Sequence, residues 1–183
     1  TWKCKAQLIS RNIASTIVID NKLKFAESRK SGIRKALSLN IEVGESNDVD
    51  GFWHVLEDNL GNRYNAKPVH TASEMKLLMS RFPNNIKLYV AKMNGEIVGG
   101  TLIYVTPQVV HTQYISASVE GKKHGALDLL FDYIINKVYA NCRYFDFGKS
   151  TEQGGAYLNE PLIFQKEGFG GRGVCYDWYQ WEL

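Results

Sequence analysis

The stretch from Leu88 to Val105 constrains this chain more than any other. Two apolar runs, Leu88–Met93 and Glu96–Val105, flank the dipeptide Asn94-Gly95. Asn-Gly accepts the two positive φ angles of a type I′ turn, whose twist matches that of paired strands. An antiparallel hairpin is therefore predicted. Pro107 breaks the run, and Val109–Ser118 reads as a further strand. Beyond Gly125, Leu127, Leu130, Phe131, Ile134, Ile135 and Val138 recur at helical spacing. Tyr144–Phe147 is a strand, and Asn159–Glu167 is a helix that tolerates Pro161 only in its first turn. Val174–Glu182 is a last strand rich in aromatics. Hairpin, strand, helix, strand, helix, strand implies an α/β (α+β) fold, with a mixed central sheet and helices on its faces.

Upstream of the hairpin the local signals are also specific. Ile13–Asp20 alternates as a strand, and Phe25–Leu39 is a basic helix with Asn40 as its C-terminal cap. Ile41–Val43 is a short strand. Asp48 caps a helix whose Val49, Phe52, Trp53 and Leu56 make one apolar stripe. Thr71 and Glu74 form a capping box for a helix with Met75, Leu78, Met79 and Phe82 on one face, stopped by Pro83. Ser150–Tyr157 is a loop and Gly168–Gly173 a turn.

At 183 residues the chain suits one domain, and no apolar run nears the ~18 residues of a membrane span. It begins at Thr1 with no leader pattern, so it is expected to be a processed or excised piece of something longer. The net charge of +3 hides an asymmetry: residues 1–40 carry +7, and Ile41–Leu60 holds six acids and no Lys or Arg. Such a basic segment suits phosphates in RNA, nucleotides or anionic lipid, or else is an ordinary solvated helix face. Cys4, Cys142 and Cys175 have no metal or disulfide spacing and are expected as reduced thiols. His54, His70, His111 and His124 are scattered, and read as surface or satisfied core residues.

Three segments have residue types suited to chemistry. Gly121-Lys122-Lys123-His124-Gly125 reads as a basic loop between strand and helix, where free helix N–H groups and lysines attract anions; a plain surface turn has the same form. Asp146-Phe147-Gly148-Lys149-Ser150 ends a strand, where open α/β sheets place their sites. Its first three residues have the form of the kinase metal-binding tripeptide. No glycine-rich nucleotide loop, strand lysine or HRD motif accompanies them, which excludes a kinase; a turn with Asp146 capping backbone N–H groups remains open. In Asn159–Gly170, Lys166 precedes Gly168-Phe169-Gly170; a cation there either steadies an oxyanion or is a solvated helix-end lysine.

In order and spacing, the chain resembles the GNAT acyltransferase superfamily, and more closely the C-terminal GNAT domain of FemAB-like proteins, which are tandem GNAT domains. The resemblance rests on Ser28–Ala36 (SRKSGIRKA), Ile41-Glu42-Val43, the acidic helix Asp48–Leu56, Ala91–Gly100 (AKMNGEIVGG), Tyr144–Gly148 (YFDFG) and Lys166–Gly170 (KEGFG). It implies a GNAT domain over 22–183, with 1–21 a linker or remnant strand of a preceding GNAT domain. It implies transfer of an acyl or aminoacyl group, from acyl-CoA or aminoacyl-tRNA, to an amine in cell-wall or surface-polysaccharide biosynthesis. Gly121, Lys122, Lys123, Gly125 and Ala126 would then meet the donor's phosphates. Lys166 would stabilise developing charge, and Asp146 or a bound water would take the amine's proton. The general-acid tyrosine of many GNAT members falls at Phe164 here, with Tyr157 as the nearby substitute. No metal is expected, and the location implied is the bacterial cytoplasm or the inner membrane face. The alternative is a non-catalytic GNAT-like module that binds RNA or a phosphate-bearing precursor.

Overall fold

Adjacent residues of the predicted hairpin bury themselves on opposite sides of one sheet. Leu88, Val90 and Leu102 pack with Phe52, Trp53, Leu56 and Met75, whereas Tyr89, Ala91 and Ile103 pack with Ala126, Leu130, Phe131 and Ile134. A sheet covered on both faces needs near-continuous apolar runs, which is what these strands contain. The computed structural model describes residues 5–182, with the side chains of Arg63 and Tyr64 left aside. Lys3 and Cys4 of the expected basic segment and thiols lie outside the described residues.

The elements are β1 (Gln7–Val18), α1 (Glu27–Ser38), β2 (Glu42–Ser46), α2 (Val49–Tyr64), α3 (Ala72–Arg81), β3 (Ile86–Met93), β4 (Glu96–Val105), β5 (Val109–Ala117), α4 (Val119–Lys123), α5 (Ala126–Tyr133), β6 (Tyr144–Lys149), β7 (Thr151–Glu152), β8 (Tyr157–Leu158), α6 (Glu160–Glu167) and β9 (Arg172–Gln180). Seven strands form one sheet in the order β2-β3-β4-β5-β6-β1-β9. Every neighbouring pair is antiparallel except β5 and β6. Helices α1 and α5 cover one face, and α2 and α3 the other.

The N-caps predicted at Asp48 and Thr71 form as read, the helix expected over 159–167 is capped by its own first residue, and the C-cap expected at Asn40 falls one residue earlier. Asp48 accepts from the Gly51 N–H, and Thr71 and Glu74 complete both halves of the capping box. Asn159 accepts from the Leu162 N–H and Pro161 stands in the first turn of α6. Asn94 and Gly95 take φ values of 53° and 84°. Asn40, at φ 54°, turns the chain just after the C-cap Leu39.

Four sequence expectations are corrected. The first strand starts at Gln7 rather than Ile13, because Gln7–Asn12 pairs with β9 and lies beyond the reach of β6. The stretch expected as linker or remnant strand is thus, over Gln7–Val18, a strand of this sheet with partners on both sides. Second, the expected basic loop at 121–125 is a one-turn helix, α4, capped by Ser118, with a break at His124-Gly125. Third, Ser150–Tyr157 contains a small hairpin, β7 against β8. Fourth, the apolar stripe of α5 does not continue as α-helix, since Ile134–Val138 is a π turn that leaves Val138 exposed.

The basic segment is partly neutralised in place. Arg11 forms a bidentate pair with Asp177 at 2.7 and 2.8 Å, Arg29 meets Asp128 at 2.8 Å, and Lys30 and Arg34 share Glu27. Among the described residues no helix is long and apolar enough to cross a membrane.

Candidate active site

Strands β5 and β6 run parallel but pair over only three positions, Val109↔Tyr144, Val110↔Phe145 and His111↔Asp146. Beyond these they part, and the sheet opens into a cleft. Strand β4 follows β5 up to Ala117 on its other side. The β6-facing backbone of β5 past His111 therefore has no strand partner. A bulge adds to the opening. Ile103 pairs with Thr112 and Leu102 with Tyr114, so Gln113 is the extra residue that a bulge leaves outside the ladder.

Two cavities fill the cleft. One, of about 290 Å³, is lined by Ser116, Ala117, Lys122, Leu127, Phe131 and Gln165 among others. The second, of about 500 Å³, is lined by His111, Thr112, Gln113, Asp146, Gly148, Lys149 and Tyr176. Ile115, Phe147, Leu162 and Lys166 line both. The two cavities adjoin along these four residues, of which Lys166 is the only charged one.

Lys166 is 6% exposed. The turn after α6 is clamped by the chain before α1: Ala26 N–H donates to Gly168 O at 2.8 Å, and Phe25 meets Phe169 edge-on at 5.4 Å. This anchorage holds the lysine inward. Its Nζ donates to Lys149 O at 2.7 Å and Gly148 O at 3.1 Å. Burial pushes its pKa down to about 8, with the nearby Asp146 charge opposing part of the shift. An ammonium has three N–H donors, so two bonds to carbonyls leave one to spare.

Asp146 is buried with both oxygens engaged. Oδ1 accepts from Thr16 Oγ1 at 2.9 Å, and Oδ2 meets His111 Nδ1 at 2.7 Å. Burial raises its pKa, but the hydrogen bonds from His111 and Thr16, the His111 charge and the Gly148 N–H outweigh that, and the carboxyl sits below its ordinary range. Tyr176 of β9 lines the same cavity.

The structure brings Lys166 and Asp146 together in the cleft with Lys122 at its rim, where Lys122 donates to Asn59 Oδ1. It does not bring in the other expected residues. Gly121, Gly125 and Ala126 are buried. A Cβ at Gly121 would lie 2.0 Å from Val98 O, and one at Gly125 2.4 Å from Gly32 O, so both glycines serve backbone packing. Lys123 is exposed and lines neither cavity. Tyr157 is 51% exposed, pairs with exposed Glu152 in the β7–β8 hairpin, and lines neither cavity. Phe164 is likewise 71% exposed. His111 and Thr16 carry no sequence signal, because only strand pairing brings them to Asp146, and Gln113 and Tyr176 reach the second cavity from β5 and β9. Among the described residues no group of three or more His, Cys, Asp or Glu side chains could hold a metal.

Solved structures share this fold at low identity. FemX superposes with a TM-score of 0.66 at 13% identity, covering 92% of this chain and 61% of its own. L-PGS from Bacillus licheniformis gives 0.65 at 14%, covering 92% and 58%. An aminoglycoside acetyltransferase from an uncultured soil metagenomic sample gives 0.50 at 17%, covering 73% and 89%. The chain thus spans about three fifths of the length of FemX and L-PGS. No curated protein matches the sequence. The family model of the acetyltransferase (GNAT) domain matches residues 24–157, which include the hairpin, the β5–β6 split and Asp146, and the chain belongs to that family.

Proposed function

We propose that the chain is an N-acyltransferase that joins an acyl donor and an amine in the cleft between β5 and β6. The observation that carries this reading is the pair of cavities meeting at one buried cation, Lys166. The first cavity suits the donor. The unpartnered β5 backbone beside it can pair with an extended, amide-bearing arm, as a sheet edge pairs with a peptide. Lys122 adds positive charge at the rim for a phosphate-bearing carrier. Acyl-CoA and aminoacyl-tRNA both have that chemistry. The second cavity, lined by His111 and Asp146 as well as Lys166, suits the amine.

As the amine attacks, negative charge grows on the acyl oxygen. The spare N–H of Lys166 is the donor on hand. The buried setting strengthens it relative to water. Exposed Phe164 and Tyr157 would favour a non-catalytic module, but Tyr176 lines the second cavity and is a hydroxyl-bearing side chain there. The acceptor class, an amine of a cell-wall or surface-polysaccharide precursor, rests on the FemAB-like resemblance. The greater length of FemX and L-PGS supports a preceding GNAT domain as the working partner.

The test is calorimetric titration with acetyl-CoA and with aminoacyl-tRNA, followed by transfer assays on a panel of amines. Saturable binding of one donor and amide formation are expected, and Lys166→Ala should cost roughly 10²–10³ in rate. Binding of neither donor by the wild type would refute the reading.

A further inference from the structure

We propose that His111 is the general base that takes the proton from the attacking amine, with Asp146 as the residue that positions it. The proposal rests on the transferase reading and adds to it a residue that neither the motifs nor the family match singles out.

Asp146 is poorly placed to act as the base itself, since it is buried and both its oxygens are committed, to Thr16 and to His111. A carboxylate only accepts hydrogen bonds, so an ionised Asp146 makes Nδ1 of His111 the protonated nitrogen. The lone pair of the neutral ring is then on Nε2. His111 lines the second cavity and not the first, so that lone pair serves the acceptor half of the cleft. The backbone is shaped to the ring. Gly148 has φ 69°, and a Cβ there would lie 3.2 Å from His111 Cε1. Tyr104 lies beside the ring on the β4 side, with centroids 6.5 Å apart. The titratable groups around the imidazole are Asp146 and Lys149 on β6, Tyr104 on β4, Lys166 on α6 and Tyr176 on β9.

The step balances as follows. The amine nitrogen bonds to the acyl carbon, and its proton passes to His111 Nε2. The C–S bond of a thioester, or the C–O bond of an aminoacyl ester, breaks, and the imidazolium returns the proton to the departing sulfur or oxygen. The dyad ends as it began, and no other reactant is needed.

The test has two arms on the full chain. Nitrogen-15 NMR of the wild type, with His111 assigned through His111→Gln, reads the tautomer: Nδ1–H is expected, and a neutral ring protonated on Nε2 overturns the proposal. Kinetics then compare the wild type with His111→Gln and Asp146→Asn. General-base catalysis is worth about 10²–10⁴-fold. His111→Gln should lower kcat/KM by at least about 10²-fold, abolish the acidic limb of its pH profile and leave the donor dissociation constant unchanged. An active wild type whose rate and pH profile survive His111→Gln overturns the base assignment alone. A wild type that binds neither donor overturns the transferase reading, and the base with it.

Discussion

Replacing Lys166 with methionine tests the buried cation through stability rather than rate. Burial takes the lysine from its ordinary 10.5 down to about 8. At ~1.4 kcal/mol per unit, the folded state bears about 3 kcal/mol to keep this ammonium charged at neutral pH. Folding lowers the pKa of a base here, so between pH 8 and 10.5 the unfolded chain holds more protons than the native one, and stability rises with pH. Methionine has no such charge, but it leaves the carbonyls of Gly148 and Lys149 without their donor. Each unmet acceptor costs up to roughly 1–3 kcal/mol, so the two lost bonds offset much or all of the removed charge penalty at pH 7. The neutral amine can still donate at high pH, whereas the penalty has gone. The wild type should therefore gain on the variant by about 2–3 kcal/mol between pH 7 and pH 10. Urea unfolding of both proteins at half-unit intervals measures the gap, and other titrating groups cancel in the difference. A gap that stays level across this range would mean that Lys166 titrates like a solvated lysine, and the buried cation would have to be abandoned.

Three further substitutions test other parts of the architecture. Gly148→Ala places a side chain at positive φ beside the His111 ring, and should cost about 1–2 kcal/mol in urea unfolding together with a fall in kcat. Loss of stability with kcat intact would separate this bulge from the chemistry. Gly125→Ala combines φ 74° with a 2.4 Å approach to Gly32 O, and should cost at least ~2 kcal/mol, whereas a neutral result would deny the tight contact between α1 and the start of α5. Thr71→Ala removes a side-chain acceptor from the α3 capping box and should lower stability by about 1 kcal/mol, with donor affinity unaffected.

What the sequence reveals here is what short-range chemistry decides. Asn94-Gly95, Asp48, Thr71 with Glu74, and Pro161 in a helix's first turn each act within one turn, and each is found where it was read. Long-range pairing leaves no such trace. Gln7–Asn12 has strand character only because β9, some 170 residues later, lies alongside, as in the pairing of Gln7 with Gln180. The glycines at 121 and 125 show the complementary limit. A missing Cβ brings a backbone close to something, and sequence alone cannot tell a phosphate from the carbonyls of Val98 and Gly32. The basic N-terminal segment is similar, since Arg11 and Arg29 lie beside acids of β9 and α5 that are remote in sequence.

Asp146-Phe147-Gly148 joins these two kinds of information. As a tripeptide it points to a kinase-like metal loop or a capped turn, and neither explains why all three residues are needed. On β6 each has its own task. Asp146 points to His111 and Thr16, while Phe147, on the opposite side of the strand, packs against Phe131 and Phe169 and forms cleft wall. Gly148 takes the positive φ of a bulge in β6 beside the imidazole and lends its carbonyl to Lys166. Histidine and lysine thus share Gly148, the histidine through its missing Cβ together with the Asp146 carboxylate, the lysine through its carbonyl. A substitution in this bulge should therefore disturb base and cation together, and additivity between Gly148→Ala and His111→Gln in kcat/KM would argue against that shared support.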